Sequence, residues 1–228
     1  MEVANVFIVL AAAFVPALVW LFFFLREDLH PEPKRLIIKT FLFGAAVTVP
    51  TFAIQSVADY FLKGEFVILV ATLAFLEEFF KFLAAWFAVR RNPAFDEPVD
   101  AMIYTIAAAL GFATVENIFV TGSAYPLSAS LGVFFAAGGA LSILIYRFVG
   151  ATLLHALASS LVGYAWARGR IRKNPRRFVA LGLAIAGAMH AVFNFLIYRF
   201  EYENILVPAL FLALAGFFVL VDFERLKR

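Results

Sequence analysis

The chain has 228 residues, of which 64% are hydrophobic and only 15% charged, with a mean hydropathy of +0.92. Soluble domains carry about 25% charged residues, so this composition excludes a soluble globular protein. It predicts an all-α, polytopic transmembrane helical bundle forming a single integral-membrane domain over residues 1–228. The absence of cysteine excludes disulfides, thiol nucleophiles and thiolate metal sites.

About 20 apolar residues cross a bilayer. That length predicts seven spans, over residues 3–25, 36–58, 66–89, 101–121, 147–167, 178–198 and 205–221. No basic residue precedes the first span, which is therefore read as a retained helix and not a signal peptide. The links are short. Residues 26–35 are charged and proline-rich, with His30 beside Pro31 in a solvated loop. Lys63-Gly64-Glu65 is a tight turn. In residues 90–100 Pro98 and Asp100 mark a helix start, with Asp100 as candidate N-cap.

Residues 127–146 are apolar and nearly long enough to span, yet they run into Arg147 without a turn. The positive-inside rule decides how to read them. With seven spans, the N-terminus outside and the C-terminus inside, 15 of the 19 basic residues fall on the inner side, including Arg90, Arg91 and the six between Arg168 and Arg177. An eighth span would send that six-residue cluster outside. Residues 127–146 are therefore expected to form an interfacial or re-entrant segment, with a bend at Gly138-Gly139. The net charge of +3 is a mark of topology toward the lipid bilayer, and no nucleic-acid partner is expected.

The third span contains an energetic anomaly. Glu77, Glu78 and Lys81 sit in the middle of an otherwise apolar helix. One charged residue at mid-membrane depth costs about 2.5–3.5 kcal/mol on insertion scales, and such residues mark function. The other ionisable residues at membrane depth are Glu116 in the fourth span, His155 in the fifth and His190 in the sixth. At 1.5 Å per residue from the outer helix ends, Glu77 lies about 17 Å deep, Glu116 about 8 Å, and both histidines about 12 Å. Four helices thus present one polar layer in the outer half of the bilayer.

Each motif also repeats the i, i+4 spacing of a single helix face: Glu77/Lys81, Phe112/Glu116, His155/Ser159 and His190/Asn194. Adjacent Glu77 and Glu78 are about 100° apart around the helix, so one can face a reacting centre while the other pairs elsewhere. A carboxylate general base with a neutral imidazole can activate water, and imidazole or carboxamide donors can hold an oxyanion. The alternative is metal chemistry, with Glu77, His155 and His190 as a zinc ligand set. The compact His-Glu-x-x-His helix is missing, so no metal is required on the first of these readings. A transporter or proton-coupled membrane protein is the rival from another class. It predicts polar residues strung along a pore, not one layer.

The order Glu-Glu-x-x-Lys, Phe-x-x-x-Glu-Asn, a lone His and then His-x-x-x-Asn resembles the PrsW family of intramembrane proteases, relatives of the CAAX prenyl endopeptidase and bacteriocin-processing group. Residues 95–100, Tyr104 and residues 111–114 match that family's loop and fourth span. The resemblance implies an intramembrane endopeptidase of the glutamic type that cleaves a membrane-anchored protein near the outer leaflet of a prokaryotic cell membrane, as in regulated proteolysis. It implies Glu77 and Glu78 as the paired glutamates, with Glu77 the base. Glu116 is then the second-motif acid, and His155 and His190 are the histidines that activate water or stabilise charge. Asn194 lies near the oxyanion, and Lys81 and Asn117 play supporting parts. One departure stands out: Glu116 occupies a position where the prenyl-protease branch carries His.

Overall fold

The computed structural model describes residues 3–130, 150–200 and 206–227. Among them are seven helices and no strand: α1 (Val3–Leu25), α2 (Lys34–Phe61), α3 (Phe66–Val89), α4 (Asp100–Ser130), α5 (Leu153–Ile171), α6 (Pro175–Phe200) and α7 (Leu206–Leu226). Four stretches are long and apolar enough to cross a membrane by composition alone: α2, the first 20 residues of α4, α6 and α7. α3 is 24 residues long, but every 18-residue window of it contains Glu77, Glu78 and Lys81.

Three expectations need correction. α4 does not end at residue 121; it continues without a break to Ser130. Gly122 and Pro126 read as helix breakers, but isolated Gly and Pro are tolerated inside membrane helices. Residues 127–130 of the expected re-entrant segment therefore belong to α4, and residues 131–146 lie outside the described residues. Asp100 is the first residue of α4 and not its N-cap. Its Oδ2 accepts the Glu97 N–H at 2.7 Å, so it satisfies a loop donor stranded ahead of Pro98 instead of a helix donor. α5 runs four residues past its expected end, to Ile171. Arg168 and Arg170 fall in that last turn, where cations complement the helix dipole.

α4 is the axis of the bundle, packed by α1, α2, α3 and α5. Every residue from Val99 to Thr114 is buried. Close approach depends on glycine. A Cβ on Gly44 of α2 would meet the Ala108 carbonyl oxygen at 1.8 Å, and one on Gly111 of α4 would meet that of Phe41 at 1.9 Å. The two backbones touch through both glycines, as small residues permit in membrane bundles. α6 packs on α5 and α3, and α7 lies against α5.

The loops that carry most of the basic residues meet at one end of the bundle. There Lys227 reaches Glu27 at 2.9 Å, Arg170 donates to the Phe95 carbonyl at 3.3 Å, and the exposed His30 ring pairs with Glu97 at 2.7 Å. At the opposite end Tyr60 and Phe61 stand 70% and 76% exposed, and Phe66 packs on Tyr198 with ring centroids 4.6 Å apart. Aromatic girdles of this kind sit at membrane–water interfaces.

Candidate active site

Five helices bring their polar side chains to one place inside this apolar frame. α3 supplies Glu77, Glu78 and Lys81. α4 supplies Glu116, α5 His155 and Ser159, α6 His190, and α2 Gln55.

The one-residue offset on α3 gives the two glutamates different surroundings, since adjacent helix positions diverge by about 100°. Glu78 is fully buried and saturated. Its Oε1 accepts from Lys81 Nζ at 2.5 Å and lies 2.8 Å from His190 Nδ1. Its Oε2 accepts from Ser159 Oγ at 2.8 Å. Glu77 is held on one side only: Oε1 accepts from Gln55 Nε2 at 2.9 Å. Its Oε2 is buried and has no hydrogen-bond partner among the described residues. That oxygen lies 3.7 Å from His190 Nε2 and 3.9 Å from His155 Nδ1.

These contacts settle how the imidazoles are turned. A carboxylate only accepts, so the His190 proton sits on Nδ1 toward Glu78, and the Nε2 lone pair faces Glu77 Oε2. The Lys81 ammonium only donates. It lies 2.8 Å from His155 Nδ1, which places that ring's proton on Nε2, directed to Glu116 Oε2 at 2.6 Å. The Lys81 cation also sits 5.2 Å from the centroid of the Phe112 ring, and the two histidine rings meet edge to face at 5.2 Å. Phe112 and Glu116, one turn apart on α4, thus flank Lys81 and His155.

The remaining candidates lie further out. Asn117 is buried and donates from Nδ2 to Thr152 Oγ1 at 3.1 Å, which ties α4 to the turn before α5. Asn194 stands one turn beyond His190, half-buried, and its side chain makes no hydrogen bond to the described residues. Gln55 escapes the sequence reading, which dwells on ionisable groups. Its signal is nonetheless plain: it is the only glutamine in the chain and lies inside an apolar span.

Glu77, His155 and His190 each offer one ligand atom within 4.8 Å of the others. A buried carboxylate oxygen without a partner, set against two ring nitrogens, is a donor set that suits a divalent ion such as zinc. The Glu78 bond to His190 Nδ1 is the kind of outer contact that orients a ligating imidazole. One contact works against it: an ion on His155 Nδ1 would displace Lys81 from that nitrogen.

A bundle of membrane helices that buries connected Glu and His side chains around an unpartnered carboxylate oxygen has the make-up of an intramembrane hydrolase. The model of the PrsW family of intramembrane metalloproteases matches residues 32–221, and the chain belongs to that family of intramembrane proteases. It is 28% identical over 224 residues to the protease PrsW of Oceanobacillus iheyensis, covering 96% of this chain and 95% of that protein. It is 24% identical over 196 residues to the protease PrsW of Bacillus subtilis, covering 84% and 83%. The protease PrsW of Clostridioides difficile is 28% identical over 194 residues, covering 81% and 77%. No solved structure matches the chain. The transporter reading is set aside by this membership.

Proposed function

We propose that the chain is an endopeptidase that cleaves a membrane-anchored protein near the leaflet opposite the basic end of the bundle. The N-terminus is outside and the C-terminus inside. The hydrolytic water sits between Glu77 Oε2 and His190 Nε2. The observation that carries this reading is the buried Glu77 Oε2, unpartnered among the described residues and 3.7 Å from His190 Nε2. Both atoms are acceptors, so together they hold and orient the two hydrogens of one water. As that water attacks the scissile carbonyl, its proton passes to Glu77, which later delivers it to the leaving amine. Glu78 fixes the His190 ring so that Nε2 stays aimed at the water. Glu116 takes the Nε2–H of His155, and Asn194 offers a carboxamide donor to the developing oxyanion.

Glu77, His155 and His190 would also hold a divalent ion such as zinc, which when bound polarises the carbonyl and lowers the pKa of water. The metal-free version has a specific observation in its favour, the Lys81 ammonium on His155 Nδ1. Cleavage of a panel of single-span substrates by the purified protein, before and after a strong chelator, separates the two. Loss of activity restored by Zn²⁺ supports the metal-bound version, and unchanged activity supports the metal-free one. Native-rate cleavage by both His155→Ala and His190→Ala would show that the water is activated elsewhere.

A further inference from the structure

On the outer surface of the bundle, an open groove of about 390 Å³ runs between α2 and α3. Phe43, Ala46 and Pro50 line it from α2, and Phe80, Leu83 and Phe87 from α3; all of its lining side chains are apolar. The gap exists because Ala46 and Ala84 put only methyl groups into the interface, while aromatic rings wall both ends. From Phe43 to Pro50, and from Phe80 to Phe87, the groove is about 10 Å long at 1.5 Å per residue. A groove of that length, lined only by apolar side chains, suits an acyl chain.

Its basic end is charged. Lys39 lies one turn before Phe43, with Nζ 5.4 Å from that ring's centroid. One of its N–H groups goes to the Ala88 carbonyl at 3.0 Å, leaving two donors. Arg90 lies 5.1 Å from the centroid of the Phe87 ring and 4.0 Å from that of Trp86. Both rings at this end of the groove therefore carry a cation, and neither cation has a carboxylate partner among the described residues. An apolar slot capped by an ammonium and a guanidinium at the membrane boundary matches a single chemistry.

We propose that the α2–α3 groove binds an anionic phospholipid, one acyl chain lying in the slot and the phosphate held by Lys39 and Arg90 in the leaflet at the basic end. Native mass spectrometry of the purified full chain, supplied with phosphatidylglycerol or phosphatidylcholine of matched chains, tests this without reference to catalysis. Each basic side chain near a membrane surface contributes about fivefold toward an anionic headgroup, so two give roughly a 30-fold preference for phosphatidylglycerol. Lys39→Gln/Arg90→Gln should abolish the preference but retain a bound lipid. Ala46→Phe, at an exposed position, should fill the slot and weaken both lipids. Equal binding of the two lipids by the native chain would overturn the proposal. So would phosphatidylglycerol binding unaffected by both variants, or a single-span peptide that is retained where phosphatidylglycerol is not.

Discussion

Two clusters of carboxylates, one inside the membrane and one at the basic end, are neutralised by different means. Inside the membrane Glu78 is met on both oxygens, by the Lys81 ammonium, the His190 N–H and the Ser159 hydroxyl. At the basic end Glu32 receives the Tyr104 hydroxyl and stands beside Asp100. Among the described residues no lysine or arginine forms an ion pair with either. Burial, with Asp100 next to it, pushes the Glu32 carboxyl up to about 8, against the opposing pull of Tyr104. The difference follows from access to water. A loop near the surface can take up a proton when its carboxylates crowd, whereas a buried helix needs a built-in counter-charge. Glu77 departs from both patterns, because one of its oxygens is left over.

Breaking the built-in pair should have the largest effect. Glu78→Ala leaves Lys81, itself fully buried, without its carboxylate, and removing one partner of a buried ion pair costs about 3–5 kcal/mol. Thermal unfolding in detergent should show that loss. The double variant Glu78→Ala/Lys81→Met should recover most of the stability and none of the activity. If the single variant melts with the native chain, the ion pair does not hold α3 in place.

A smaller effect is expected at Gln55. Its hydrogen bond to the Glu77 carboxylate is of a kind worth about 1.5–3 kcal/mol, and its loss leaves Glu77 free to turn away from the histidines. Gln55→Leu should lower kcat about tenfold or more, with KM little moved and a fall in activity larger than the accompanying fall in melting temperature accounts for. An equal fall in stability and activity would make Gln55 merely structural.

The smallest effect tests the proton-neutralised cluster. A carboxyl whose folded pKa lies above its ordinary value of 4.5 is bound to more protons in the folded state. Stability is therefore full below about pH 4.5 and declines as the pH rises toward 8. Glu32→Gln keeps an acceptor for Tyr104 and should flatten that decline, so the two melting curves diverge most at pH 8. Parallel pH profiles for the two chains would mean that Glu32 ionises freely.

Much of this frame is legible in the sequence, for a reason visible at α3. Charge inside an apolar span is costly enough that Glu77, Glu78, Lys81, Glu116, His155 and His190 stand out by inventory alone, and they lie together in the folded chain. Span positions follow from hydropathy for the same reason. Gln55 is harder to find because a neutral amide in a span can be satisfied by any nearby carbonyl, as its second contact with Leu73 O at 3.2 Å illustrates. The continuation of α4 past residue 121 is hidden because Gly122 and Pro126 are weak stop signals in a bilayer. Which oxygen of Glu77 remains unpartnered depends on side-chain rotamers and on the register of α2 against α3, and neither leaves a trace in residue spacing.

The most direct test of the central claim is the cleavage rate of a reconstituted single-span substrate by Glu77→Gln, which keeps the acceptor for Gln55 but cannot take a proton. A fall of at least about 10²-fold is expected, with an unchanged melting temperature. Cleavage at the native rate would contradict the claim.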